Sequence, residues 1–106
     1  MEKYTIHAAQ QFSEERFTKI NIIRNKRSVV FLLNFLPGQH MKLHNHPVRE
    51  LYLHVLDGSG VFILEDKEFP VEQGDVIYCQ AKDKLGFTNT GEEKVSIYAT
   101  MTKLIY

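Results

Sequence analysis

Two imidazoles and a carboxylate stand close together in the run Gly38-Gln39-His40-Met41-Lys42-Leu43-His44-Asn45-His46-Pro47-Val48-Arg49-Glu50. On an extended strand, residues two apart face one side, so His44 and His46 point together while Leu43 and Asn45 point the other way. Imidazole nitrogen and carboxylate oxygen are donors for a divalent metal. Glu50 cannot join the pair on a straight strand: four residues on, it lies roughly 13 Å away at about 3.3 Å per residue, against a metal bond of about 2.0–2.2 Å. The chain therefore has to turn. Pro47 cannot donate to a ladder, and a loop of Pro47, Val48 and Arg49 predicts Glu50 opposite His46 on an antiparallel partner. Two His and one carboxylate with open positions are the donor set of non-haem iron sites, and related sets serve catalytic zinc. Fe(II), Mn(II), Ni(II) and Zn(II) are all candidate occupants. The alternative is a hydrogen-bonded polar cluster of the same three residues inside a barrel.

In that register His44 opposes Tyr52, Lys42 opposes His54 and His40 opposes Leu56. Each step of two residues moves about 7 Å from the metal. His54 is then a lumen residue or a support for the ligands, and His40 lies further off. Tyr52 offers a phenol to the lumen, and Gln80 a carboxamide oxygen. The polar set His40, Lys42, His44, His46, Glu50, Tyr52 and His54 is expected to line the lumen. Met41, Leu43, Leu51, Leu53 and Val55 would then form an apolar outer face that the N-terminal segment or another copy of the chain must cover, and a homodimer built partly on these residues is expected.

The elements that must position these groups are short strands punctuated by turn residues, with no heptads, internal repeat or low-complexity linker. Strands are predicted over 18–24, 28–36, 39–46, 50–56, 61–65, 69–72, 76–80 and 94–101. Asn25-Lys26-Arg27 and Asp66-Lys67-Glu68 make hairpin turns, and Pro70 suggests an edge strand. Residues 29–33 are apolar on both faces, as in a strand covered on each side. Residues 81–86 read as a Lys/Asp-rich loop near the barrel mouth, and 12–17 as a weak helical turn. Phe31, Leu33, Phe35, Phe62, Leu64 and Val76 are the expected core. The fold class is all-β, a barrel or sandwich.

A chain of 106 residues makes one domain, 1–106, with a single core. Lys plus Arg equals Asp plus Glu at 13 each, so no net field favours nucleic acid or an anionic membrane. The start lacks the basic and apolar regions of a signal peptide, and no apolar run approaches the ~20 residues of a membrane span. A cytoplasmic location is expected. Cys79 is the only cysteine, which excludes an internal disulfide and suggests an inert core thiol. No phosphate loop or nucleophile elbow is present.

Gly38, His44, His46, Glu50 and Gly58 resemble the first motif of the cupins: Gly, five residues, His-x-His, three or four residues, Glu, about six residues, Gly. Gly74 and Asn89 match the ends of their second motif, whose middle departs from the pattern: Gln80 stands for Pro, Lys82 for Gly and Leu85 for the His that is normally the fourth ligand. The resemblance spans roughly residues 31–101. It implies a double-stranded β-helix, the jelly-roll barrel, with dimerisation common. Dioxygenase, isomerase, decarboxylase and lyase chemistries all occur on such barrels. Two functions follow as expectations: a small metalloenzyme acting on an oxygenated molecule in the lumen, or a non-catalytic barrel holding a small ligand or a structural metal.

Overall fold

A computed structural model describes residues 1–104. After a short 3-10 turn, Ile6–Ala9, the chain forms nine strands: β1 Thr18–Arg24, β2 Ser28–Phe35, β3 His40–His44, β4 Arg49–Asp57, β5 Ser59–Leu64, β6 Lys67–Glu72, β7 Val76–Cys79, β8 Leu85–Thr88 and β9 Val95–Lys103. They build a five-stranded sheet in the order β1-β2-β9-β4-β7 and a four-stranded sheet in the order β3-β8-β5-β6. Every pairing is antiparallel. No helix among the described residues is long and apolar enough to cross a membrane.

Alternation sorts the side chains. Phe31, Leu33 and Phe35 on β2, Leu51, Leu53 and Val55 on β4, and Val95, Ile97, Ala99 and Met101 on β9 all enter one buried cluster. The four-stranded sheet answers with Phe62, Leu85 and Phe87. Phe87 sits between Phe35 and Phe62, with ring centroids 4.8 Å from each. Those separations suit tilted aromatic pairs, which add to simple area burial.

The hairpins at 25–27 and 66–68 form as expected. Asn25 closes the first, its side-chain oxygen accepting the backbone N–H groups of Arg27 and Ser28 at 2.9 Å each. Pro70 lies on β6, the edge of its sheet, where a missing N–H does no harm. The residues matched to the cupin motifs do structural work. Gly38, Gly58 and Gly74 all hold positive φ, between 81° and 96°, a conformation L side chains rarely adopt. Asn89 is buried and donates to the carbonyls of Phe35 and Glu93 while accepting from Gly91 N–H. It thereby ties the end of β2 to the turn before β9.

Four expectations are corrected. His40–His44 and Arg49–Asp57 do not form a hairpin: β3 pairs with β8, whereas β4 pairs with β9 and β7 in the other sheet. Glu50 therefore lies opposite Thr102, not His46. Leu85 and Gly86, expected to end the 81–86 loop, instead begin β8, which joins β3 to β5. No helical turn forms over 12–17. Val76 is 67% exposed, because β7 turns it to the same outer side as His54.

Phe87 bridges the two sheets, so its loss should be felt globally. Phe87→Ala is expected to destabilise the fold by about 3–5 kcal/mol, read from urea unfolding; a loss below about 1 kcal/mol would mean that the sheets do not depend on this contact.

Candidate functional site

The residues of β3 do not alternate strictly. Met41 pairs with Phe87 and His44 with Leu85, so three steps on β3 face two on β8. Such a bulge turns Met41 and His44 to the same side, into the space between the sheets. There they meet His46, which follows β3 in the crossing segment. The two imidazoles stack edge to face with ring centroids 4.6 Å apart. Together with residues from β1, β2, β4 and β8 they enclose a cavity of about 110 Å³.

Its walls are mostly apolar. Phe31, Leu33, Leu51, Leu53 and Leu85 supply most of the surface, with Phe17 and Met41 beside them. The polar groups are His44, His46 and Lys19. Lys19 lies on β1 opposite Leu33, and its ammonium sits 4.6 Å above the centre of the Phe31 ring. Sequence reasoning missed Lys19. The alternation of Lys19 and Asn21 with Ile20 and Ile22 would by itself place the lysine outward, and only the pairing of β1 with β2, which sets Lys19 opposite Leu33, brings it to the cavity.

His44 Nδ1 lies 2.7 Å from the Lys42 carbonyl, which can only accept, so Nδ1 carries a proton, and in the neutral ring Nε2 is the free nitrogen. His46 is held below the ordinary imidazole pKa, first by burial and then by His44, Lys19 and Arg49. The site thus sets two imidazoles beside one ammonium, with burial and neighbouring charge favouring the neutral form of His46.

Glu50 is elsewhere. On β4, Leu51, Leu53 and Val55 point into the core, so their neighbours Glu50, Tyr52 and His54 point out. The Glu50 carboxylate accepts hydrogen bonds from Tyr52 Oη at 2.8 Å and Tyr78 Oη at 2.6 Å on the outer surface. The two phenol rings lie 5.2 Å apart. These bonds lower the Glu50 pKa, and the same carboxylate pushes the Tyr78 phenol up to about 12.

The structure therefore brings His44 and His46 together and leaves Glu50 apart from them. Among the described residues no three His, Cys, Asp or Glu side chains converge as a metal site would require. The side chains that β4 and β8 contribute to the same cavity are Leu51, Leu53 and Leu85, and none offers a lone pair. The donor set present does not fit a three- or four-ligand metal centre. The expected lumen residues Tyr52, His54, Gln80 and His40 are all exposed, and none lines the cavity. Of the apolar face expected to be covered, Leu51, Leu53 and Val55 are buried within the chain's own core, whereas Leu43 is exposed. Cys79 is buried as expected, and burial pushes its thiol up to about 11, out of nucleophilic range.

Two antiparallel sheets closing over one cavity define the double-stranded β-helix class. The chain belongs to the cupin domain family, which matches residues 31–101. It is 27% identical to the oxalate-binding protein of Thermotoga maritima over 77% of this chain and 68% of that one. It spans only 48% and 43% of two further relatives, from Methanocaldococcus jannaschii and Arabidopsis thaliana. A solved Thermus thermophilus protein superposes with TM-score 0.91 at 21% identity, over 99% of this chain and 100% of that one. A Klebsiella pneumoniae protein with a double-stranded β-helix domain gives TM-score 0.91 at 17% identity, covering 97% and 90%. These structural likenesses carry the fold alone.

Two outcomes test the geometry. Because the folded His46 pKa is lowered, the unfolded chain takes up a proton that the folded chain refuses, so stability is full above the ordinary value of about 6.5 and falls as pH drops through it. Thermal unfolding between about pH 7 and about pH 5 should show that decline, and His46→Asn should flatten it. For the outer cluster, ultraviolet titration of Glu50→Gln should bring the Tyr78 phenol back towards the ordinary tyrosine range. An unchanged titration would place the carboxylate away from the phenols.

Proposed function

We propose that this chain is a small-molecule-binding cupin whose cavity works without a bound metal, the small-ligand arm of the second function expected from sequence. The observation that carries this reading is the lining of the cavity that holds His44 and His46: β4 and β8 contribute Leu51, Leu53 and Leu85 to it and no metal-ligating side chain. Leu85 occupies the place at which the cupin pattern has its fourth ligand, and β4 presents Leu51 to the cavity while its neighbour Glu50 faces solvent.

What remains is a binding site in physical terms. The apolar walls exclude water, which strengthens each polar contact made inside. His44 is held in one tautomer by the Lys42 carbonyl, and His46 stays neutral near neutral pH, so the polar groups are fixed before a ligand arrives. The oxalate-binding name of the Thermotoga relative supports small-molecule binding as the function, at 27% identity.

The competing reading is a metalloenzyme holding Fe, Mn, Ni or Zn on His44, His46 and Glu50. One observation favours it: a His that gives its Nδ1 proton to a backbone carbonyl is oriented as metal-binding imidazoles usually are. Elemental analysis of untagged protein, with titration of Fe(II), Mn(II), Ni(II) and Zn(II), separates the two. The expected result is no stoichiometric metal in the wild type and measurable uptake by Leu51→Glu/Leu85→His, which returns two donors to the cavity wall. Stoichiometric metal in the wild type, lost in both His44→Ala and Glu50→Ala, would overturn the metal-free reading.

A further inference from the structure

The cavity's polar groups do not offer the same thing. Lys19 brings a positive charge and only donates. His46, neutral, can donate from one ring nitrogen. His44 has committed its Nδ1 proton to the Lys42 carbonyl 2.7 Å away, so its Nε2 can only accept while the ring is neutral. Arg49 adds a second positive charge near enough to act on His46. Among the described residues, no acidic side chain lines the cavity.

These features constrain the occupant in three ways. A cation would meet the fields of Lys19 and Arg49 with no carboxylate to offset them. A wholly apolar molecule would strip water from Lys19, His44 and His46 and return no hydrogen bond. A simple carboxylate would satisfy the donors but leave the His44 Nε2 lone pair facing another acceptor. An occupant that answers every group carries an anionic acceptor for Lys19 and His46, a hydroxyl donor for His44, and a short apolar body for the leucine floor. A cavity of about 110 Å³ limits that body to a few carbon atoms.

We propose that the cavity binds a short-chain hydroxycarboxylate, its carboxylate held by Lys19 and His46, its hydroxyl donating to His44 Nε2 and its carbon chain resting on Leu51 and Leu85. This rests on the metal-free binding reading above and names the ligand class that reading leaves open. Lys19 and His44 then select for different parts of one molecule. Lys19 reads the charge, and His44 reads the hydroxyl. Discrimination of the second kind is usually strong, because a buried acceptor left without its donor is penalised in full.

The probes are three molecules of nearly one shape: 2-hydroxybutanoate, butanoate and 2-hydroxybutanamide. Each is titrated in the presence of EDTA against wild type, Lys19→Gln and His44→Leu, with binding followed by nuclear magnetic resonance shifts of the backbone amides of residues lining the cavity. Lys19 is exposed at the mouth, so Lys19→Gln leaves the core intact. The hydroxy acid should bind wild type roughly tenfold or more tightly than either analogue. Lys19→Gln should abolish the preference for acid over amide, and His44→Leu the preference for hydroxy acid over butanoate. Equal binding of all three, or preferences untouched by the two variants, overturns the hydroxycarboxylate inference and leaves small-molecule binding standing. Failure of all three to bind, with binding of the hydroxy acid restored only by added metal, overturns the metal-free reading itself. Failure under both conditions overturns the inference.

Discussion

The parity of β4 governs everything in the site. A strand presents alternate residues to opposite faces, so Leu51, Leu53 and Val55 cannot enter the core unless Glu50, Tyr52 and His54 leave it. Burying an aliphatic side chain of this size contributes about 1.5–3 kcal/mol. Reversing the strand would expose three such side chains and bring a carboxylate, a phenol and an imidazole inside. The turn that sets this parity is itself strained: Val48 holds φ at 61°, a poor conformation for a β-branched residue, at about 1–3 kcal/mol. Three buried side chains outweigh one strained residue, so the leucines go in and Glu50 goes out. The Tyr52 and Tyr78 hydroxyls then give its carboxylate partners on the outer face.

The bulge in β3 acts in the opposite sense. Without it, Met41 and His44 would face opposite sides, and the imidazole would leave the cavity along with Lys42. The extra residue turns His44 inward beside Leu85 and leaves Leu43 46% exposed. Gly86 permits this close approach, since a Cβ there would stand 3.0 Å from the Met41 carbonyl oxygen. One irregularity on β3 and the alternation of β4 from Glu50 to Val55 together decide which groups share the cavity. The result is two imidazoles on an apolar floor, with a lysine from a third strand at the rim.

Much of the fold was legible in the amino-acid order. Asn25 and the 66–68 run marked hairpins because their side chains and backbones suit tight turns, and the apolar runs of β2 and β5 and the alternation of β9 marked them as core strands. β8 was hidden because it is four residues long, contains Gly86 and follows a Lys/Asp-rich stretch, so the local composition reads as loop. The site was harder to read. The sequence places polar and apolar residues in equal alternation on β4, and a spacing of four between His46 and Glu50 is compatible with a carboxylate on either face. Which face wins depends on the tertiary fit of Leu51, Leu53 and Val55 against the four-stranded sheet. The bulge leaves no local signature at all, since Lys42 and Leu43 are ordinary strand residues.

The separation of fold from chemistry follows from where each motif residue acts. Gly38, Gly58 and Gly74 satisfy left-handed turns, and Asn89 satisfies buried carbonyls at the junction of the sheets. Those demands belong to the barrel and hold whatever the cavity contains. A metal ligand has no such duty: once Leu85 fills its place, the core gains an aliphatic side chain that packs with Phe62 and Phe87, and the barrel loses nothing. Substitution at ligand positions is therefore inexpensive for stability and decisive for chemistry. The same barrel can pass from holding an ion to holding an organic anion when the inward positions of two strands become apolar and a cationic side chain reaches the rim. His44 and His46 serve either chemistry, because an imidazole is at once a metal donor and a hydrogen-bonding group. Their neighbours, not the imidazoles themselves, determine which of the two this chain performs.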